Sequence, residues 1–194
     1  MERVKPTEVS FNGTKVVVVL GDIVEQEVDA VVNAANERLK GGSGVDWAIH
    51  NAAGWDQLQA ACREIGFCRT DDAVITPGFN LRARFIIHTV GPVYAAGPVN
   101  EAGKKYNEEA RELLASCYRR SLEIAAQNGV RTIAFPAIST GMFEYPADRA
   151  TDVAMNAVKN FVLENPGVFD EIKFVMFDDD YHAIAKRRLT EHFK

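Results

Sequence analysis

The chain has 194 residues, 47% of them hydrophobic and 25% charged, a composition typical of one globular domain over residues 1–194. Its formal net charge of −5 argues against binding to a nucleic-acid backbone, which requires a basic face, but not against a small anionic ligand held by backbone N–H groups. No apolar run could span a bilayer, and the first ten residues show no signal-peptide pattern, so we expect a cytoplasmic protein without membrane contact. The three cysteines fit no metal or redox spacing, so we expect reduced thiols.

The first half of the chain alternates apolar strands with one helical pattern. β-Branched runs bounded by turn residues predict buried strands at residues 15–23 and 29–35. The pattern that follows predicts a helix from residue 45 to about residue 65. Two further runs, each stopped by proline or glycine, predict strands at residues 73–78 and 85–92.

The second half continues this alternation. Residues 95–105 predict a surface loop, and an apolar stripe from Ala110 to Ala125 predicts a long helix after it. The remaining elements are a strand at residues 132–138, a helix at about 146–163, a strand at 171–177 and a helix at 181–193. Strands separated by helices predict an α/β sandwich with a largely parallel sheet, whose ligands bind beyond the carboxyl ends of the strands.

One polar, glycine-rich segment, NAANERLKGGSGVDWAIHNAAG at residues 33–54, lies between a predicted strand end and a helix start. A helix N-terminus offers free N–H groups and a partial positive charge, and glycines let backbone amides approach a phosphate closely. A second loop, Ser139-Thr140-Gly141-Met142-Phe143, follows another predicted strand. Two such loops could hold the two phosphates of a diphosphate.

Local structural roles are alternatives for the same residues. Ser43 and Asp46 match a capping box, and Asn33 and Asn36 could simply form turns. Two established phosphate signatures are absent. The chain has no GxxxxGK[ST] motif, and its GxGxxG motif is incomplete because Trp47 stands where the third glycine would lie. His50 and His88 have apolar neighbours and are interpreted as structural. The clustering of these positions at strand C-ends and helix N-ends favours one ligand crevice.

Five motifs resemble the macro domain family, and within it the MacroD-type group. They are GDI at residues 21–23, VDAVVNAAN at 28–36, GGSGVDWAIHNAAG at 41–54, IIHTVGPVY at 86–94 and AFPAISTGMFEYP at 134–146. They occur in the family's order over nearly the whole chain after Val16. The resemblance implies a three-layer α/β/α sandwich with a mixed, largely parallel central sheet that binds ADP-ribose.

The resemblance also implies a role for each site residue. Asp22 would bind the adenine amine with the Ile23 backbone alongside, Phe177 would pack on adenine, and the two loops would hold the diphosphate. Asn36 and Asp46 would face the distal ribose as the catalytic pair, with Phe143 at its border. The implied ligand-binding set is Asp22, Ile23, Asn36, Gly42, Ser43, Gly44, Val45, Asp46, Ser139, Thr140, Gly141, Met142, Phe143 and Phe177.

MacroD-type proteins remove ADP-ribose from acidic side chains and hydrolyse O-acetyl-ADP-ribose. The resemblance therefore implies an ADP-ribosyl-ester hydrolase that binds ADP-ribose and ADP-ribosylated proteins. We expect this chain to be a monomer, and the expected chemistry needs no metal or cofactor. A non-catalytic reader of ADP-ribosylated proteins is the alternative, and a hydrolase acting mainly on free O-acetyl-ADP-ribose is a third hypothesis. Ser43 and Trp47 replace glycines usual in the family, which bears on rate and substrate preference more than on binding.

Overall fold

A single mixed sheet of seven strands forms the centre of the computed structural model, which describes residues 7–94 and 101–194. The strands are β1 (Thr7–Phe11), β2 (Thr14–Leu20), β3 (Ala30–Ala34), β4 (Ala73–Pro77), β5 (Phe85–Thr89), β6 (Thr132–Phe135) and β7 (Glu171–Met176). Their spatial order is β1-β2-β7-β6-β3-β5-β4. The β1–β2 and β4–β5 pairs are antiparallel and all other pairs are parallel, which confirms the predicted mixed, largely parallel sheet.

Helices cover both faces of this sheet. They are α1 (Gly44–Ala53), α2 (Trp55–Ile65), α3 (Glu101–Gln127), α4 (Ala147–Glu164) and α5 (Asp179–His192), and a short 3-10 turn spans Ile23–Glu25. One buried cluster joins the sheet to α3, α4 and α5, and a second joins it to α1 and α2. The three-layer α/β/α sandwich is therefore confirmed. No helix among the described residues is both long and apolar enough to cross a membrane.

The alternation of side chains along β3 explains how one strand serves both layers. Ala30 and Val32 belong to the cluster under α3–α5, whereas Val31 belongs to the cluster under α1 and α2. Because successive side chains on a strand point to opposite faces, Asn33 shares the α1 face with Val31. This alternation places the buried polar side chain of Asn33 beneath the start of α1.

The predicted strands at residues 15–23, 85–92 and 132–138 each run three residues past the observed ends of β2, β5 and β6, and three larger differences concern whole elements. The helix expected over residues 45–65 is two helices, because Gly54 adopts a φ of +100° that breaks the helical path. Residues 101–105, expected in a loop, belong to α3, and residues 95–100 of that loop lie outside the described residues. Strand β1 was missed, although Asn12 and Gly13, both at positive φ, form the hairpin turn that joins it to β2.

Candidate functional site

The predicted site residues lie at the carboxyl ends of four adjacent parallel strands. Asp22 follows β2, Phe177 follows β7, the Ser139 loop follows β6 and Asn36 follows β3, and these strands are neighbours in the order β2-β7-β6-β3. In a parallel sheet the carboxyl ends meet at one edge. The structure therefore brings residues from distant parts of the chain to one edge of the sheet.

Asp22 and Phe177 are neighbours at one end of this edge. A backbone hydrogen bond of 2.9 Å from Gly21 N to Met176 O ties the residues that precede them. The carboxylate of Asp22 caps the 3-10 turn, accepting from Val24 N at 3.1 Å, and Ile23 is buried beneath it. Phe177 is 84% exposed, so its ring is open to solvent at the end of β7.

The glycine loop and the Ser139 loop face each other across the middle of the edge. Ser43 Oγ donates to Met142 Sδ at 3.1 Å, a contact between residues 99 positions apart in the chain. Gly42, Ser43 and Gly44 are exposed at the start of α1, and Met142 is 83% exposed. Free amides at a helix N-terminus, opposite a second loop, form the arrangement expected for a diphosphate.

The capping-box interpretation of Ser43 and Asp46 was wrong. Ser43 occupies the N-cap position of α1, but its hydroxyl bonds to Met142 and makes no cap hydrogen bond. Asp46 Oδ2 accepts from Gly42 N at 2.8 Å rather than from the N-cap residue. Trp47 is 54% exposed, so more than half of this residue faces solvent on the first turn of α1.

The Ser139 loop has a strained and closely packed start. Ser139 lies at a φ of +67°, and its Oγ is buried without a hydrogen-bond partner among the described residues. A Cβ on Gly91 would lie 2.1 Å from that Oγ, so only glycine permits this approach. Farther along the loop, Phe143 O accepts from Tyr94 N at 2.8 Å. Gly91 is a site-supporting residue that the sequence analysis did not single out.

Asn36 flanks the same glycine as Asp46, although the two side chains do not bond to each other. A Cβ on Gly42 would meet Asp46 Oδ2 at 3.2 Å and Asn36 Nδ2 at 3.8 Å, so both polar groups border this residue. The Asn36 side-chain amide bonds to the backbone of Lys40, four residues later in the same loop. Its Oδ1 accepts from Lys40 N at 3.1 Å, and its Nδ2 donates to Lys40 O. The turn-forming alternative is thus confirmed for Asn36.

Asp46 is the buried charge of the site. Its side chain accepts from Asn33 Nδ2 at 2.7 Å and from Gly42 N at 2.8 Å, and Oδ1 lies 3.0 Å from His50 Nδ1. The residue is only 5% exposed. Three donors therefore fix the orientation of this carboxylate in the first turn of α1, where the helix dipole favours an anion.

Asn33 connects Asp46 to a second histidine and does not form a turn, so the turn-forming alternative was wrong for this residue. It is fully buried on β3, directly opposite His88 in the β3–β5 register. Asn33 Nδ2 lies 3.1 Å from His88 Nδ1, while Thr76 Oγ1 lies 2.9 Å from His88 Nε2. Burial lowers the pKa of His88 to about 4, so a neutral ring accepts at Nδ1 and donates from Nε2. The structural interpretation of His88 fits this environment.

His50 supports Asp46 from the other side. Burial lowers its pKa, but hydrogen bonds with the Asp46 side chain, Cys62 and the Asp46 backbone outweigh this and raise the pKa to about 10. Gln59 Nε2 donates to Leu39 O at 3.0 Å and lies 2.7 Å from His50 Nε2. A neutral His50 accepts from this amide, whereas the imidazolium requires the amide to turn and accept through its oxygen. In either form Nδ1–H donates to Asp46.

Comparison with known proteins gives consistent matches. Residues 32–154 match the family model of the Macro domain. A macro domain-containing protein of Mesorhizobium japonicum is 49% identical over 170 residues, which cover 88% of this chain and 90% of that protein. The ADP-ribose glycohydrolase MACROD2 of Xenopus laevis is 47% identical over 173 residues, which cover 89% of this chain but only 39% of that longer protein.

Solved structures give the same result. The macrodomain of Oceanobacillus iheyensis, determined with ADP, superimposes with a TM-score of 0.87 at 36% identity, covering 96% of each chain. The Trypanosoma brucei macrodomain in complex with ADP-ribose superimposes with a TM-score of 0.78 at 35% identity, covering 89% of this chain and 68% of that one.

Proposed function

The chain belongs to the macro domain family and to its MacroD-type group, and we propose that it binds ADP-ribose and hydrolyses the ester between ADP-ribose and acidic side chains of mono-ADP-ribosylated proteins. The observation that carries this proposal is the Asp46 carboxylate, buried and fixed by Asn33, Gly42 and His50 beside the glycine loop. O-acetyl-ADP-ribose carries an ester on the same ribose and is a second substrate of the proposed site.

The dimensions of the strand edge support ADP-ribose as the ligand. Asp22 and Phe177 mark one end, and Asn36 and Asp46 mark the other, three strand spacings away in the order β2-β7-β6-β3. At about 4.8 Å for each spacing, the separation is about 14 Å. Adenine would lie against the exposed Phe177 ring, the two loops would hold the diphosphate between the ends, and the distal ribose would reach Asp46.

The proposed mechanism relies on positioning more than on strong base catalysis. Hydrolysis adds one water across the ester and releases ADP-ribose and the free carboxylate of the protein. Asp46 is held by three hydrogen-bond donors in the first turn of α1, so its role is to orient a ribose hydroxyl and the attacking water, with a ligand phosphate oxygen sharing the proton transfer. Asn36 would exchange its Lys40 contacts for a ribose hydroxyl. Fixed amides and the helix dipole supply preset electrostatic stabilisation.

A reader module that binds without cleaving is the second candidate. The observation in its favour is the Asn36 amide, which bonds to Lys40 at both its oxygen and its nitrogen instead of facing Asp46. A ligand that leaves this pair of contacts intact would lack one of the two proposed ribose contacts. It would then be bound by the adenine contacts, the two loops and Asp46, without the Asn36 contact that the proposed hydrolysis uses.

The deciding experiment uses a protein mono-ADP-ribosylated on glutamate. We expect the wild-type chain to release free ADP-ribose from it, and we expect hydroxylamine-sensitive modification to disappear in step with that release. Calorimetry with ADP-ribose accompanies the assay. Tight ADP-ribose binding without release would support the reader module and contradict the hydrolase.

A further inference from the structure

A second cleft, about 660 Å³ in volume, lies between the segment after β3 and helix α2. Its walls carry three cationic side chains, Arg38, Lys40 and Arg63, and the aromatic rings of Trp55 and Phe67. Within residues 7–94 and 101–194, no aspartate or glutamate lines it. We refer to it below as the basic cleft.

The cations of the basic cleft have no acidic partners among the residues that the structure describes. Arg38, Lys40 and Arg63 are exposed, and none of them forms an ion pair with a carboxylate in the described part of the chain. The adjacent Glu37 is held elsewhere, since its Oε1 accepts from Thr70 Oγ1 at 3.0 Å. Three unpaired positive charges on a chain of net charge −5 form a local field that attracts anions.

The aromatic rings add an apolar contact surface to this charge. Phe67 is 57% exposed and Trp55 is 39% exposed, although both rings are large and hydrophobic. Arginine, tryptophan and phenylalanine are among the residue types enriched at protein–protein interfaces. The basic cleft therefore combines anchors for apolar side chains with cations for acidic ones, which suits an acidic polypeptide.

The basic cleft shares a wall with the proposed hydrolytic site. Gly41 lines the cleft, and the next residue, Gly42, donates to Asp46. A Cβ on Gly41 would lie 2.6 Å from the Trp55 ring, so the loop packs directly against this aromatic wall. The Trp55 ring is 5.0 Å from His50, whose Nδ1 lies 3.0 Å from Asp46 Oδ1. A polypeptide whose modified carboxylate reached Asp46 would have its flanking residues beside the basic cleft.

We propose that the basic cleft binds acidic residues that flank the modified glutamate or aspartate of a protein substrate. This proposal rests on the proposed function, because it requires an ADP-ribosylated protein at the Asp46 site. Proteins that bind the backbone of a nucleic acid neutralise it along an extended basic face. The basic cleft has only three cations, and the whole chain has a net charge of −5, so a nucleic acid is not the favoured occupant. The occupant favoured by the structure is therefore a short acidic peptide segment.

The test compares two short peptides that are both mono-ADP-ribosylated on one central glutamate. In the first peptide the flanking residues are glutamates, and in the second they are glutamines. We expect the wild-type kcat/KM to be about tenfold higher for the acidic flanks, the effect of two or three exposed charge pairs. The preference should shrink at high salt. The double variant Arg38→Glu/Arg63→Glu should abolish or invert it while turnover of O-acetyl-ADP-ribose, which has no flanks, stays unchanged.

The control variant Lys186→Glu/Lys194→Glu makes the same change in net charge on and beyond α5, and it should keep the preference. Equal kcat/KM for the two peptides, or an equal loss in the control variant, would overturn the proposal. So would a single-stranded oligonucleotide that displaces the acidic peptide. Direct binding of both peptides separates this proposal from the hydrolase. Tighter binding of the acidic peptide by wild type, lost in Arg38→Glu/Arg63→Glu, would support the basic cleft even if no ADP-ribose were released.

Discussion

Replacement of Asn33 by alanine tests the buried network that holds Asp46. The substitution removes the 2.7 Å hydrogen bond to the Asp46 carboxylate and the 3.1 Å contact with His88 Nδ1. Because Asn33 is fully buried, water cannot readily replace either partner. Asp46 would lose one of its three donors, and His88 would keep only its bond with Thr76.

The expected cost follows from these two interactions. A hydrogen bond to a charged group contributes about 1.5–3 kcal/mol and a neutral one about 0.5–1.5 kcal/mol, so Asn33→Ala should lower the free energy of unfolding by about 3 kcal/mol. A carboxylate freed to rotate should also orient the ribose and water less well. We therefore expect kcat for ADP-ribose release to fall with little change in the affinity for ADP-ribose.

Urea unfolding measures the first effect, with Asn51→Ala on the exposed surface of α1 as the matched control. That control should change the free energy of unfolding by less than about 0.5 kcal/mol. If Asn33→Ala cost no more than Asn51→Ala, the network would not stabilise the fold. If its kcat were also unchanged, the network would not position Asp46.

Three further predictions concern the supporting residues. Gly91→Ala would place a Cβ 2.1 Å from Ser139 Oγ and displace the loop. Calorimetry should then show ADP-ribose binding weakened at least tenfold, which corresponds to a loss of about 1.4 kcal/mol of binding free energy. Unchanged affinity would contradict the assignment of this loop to the ligand. Asp22→Ala should likewise weaken binding, with a stability loss of only about 1 kcal/mol from the missing cap of the 3-10 turn, and equal affinity would exclude the adenine assignment. His88, with its pKa lowered to about 4, stabilises the fold in its neutral form: that stability is present above about pH 6.5 and is lost as the pH falls toward about 4. His88→Gln should remove this slope in urea titrations between about pH 7.5 and about pH 5, and a retained slope would place its origin elsewhere.

The layered fold could be predicted because its signals are local. The β-branched run of β2 and the stripe of α3 each reveal burial within a few residues. The errors arose where one residue or a long-range contact decides the outcome. Gly54 breaks a helical pattern that continues on both sides, and β1 is a half-exposed edge strand whose stability depends on pairing with β2.

The candidate site was predictable in its parts but not in its connections. The Asn36, Gly42 and Asp46 motif lies in one short segment, so the sequence showed it directly. The link from Asn33 to His88 joins residues 55 positions apart and exists only because β3 and β5 pair in that register. Two signals were nevertheless available: strand alternation assigns Asn33 to the α1 face, and the i, i+4 spacing brings His50 to Asp46.

The central claim, that Asp46 serves turnover more than binding, has one direct test. ADP-ribose release from a glutamate-modified protein and the Kd for ADP-ribose are measured for wild type, Asp46→Ala and Asp56→Ala, the last removing an exposed aspartate from the first turn of α2. Circular dichroism verifies that each variant is folded. Asp46→Ala should lose most turnover and keep most affinity, while Asp56→Ala should match wild type in both. An equal loss of turnover and affinity in Asp46→Ala, or full turnover without this carboxylate, would contradict the account.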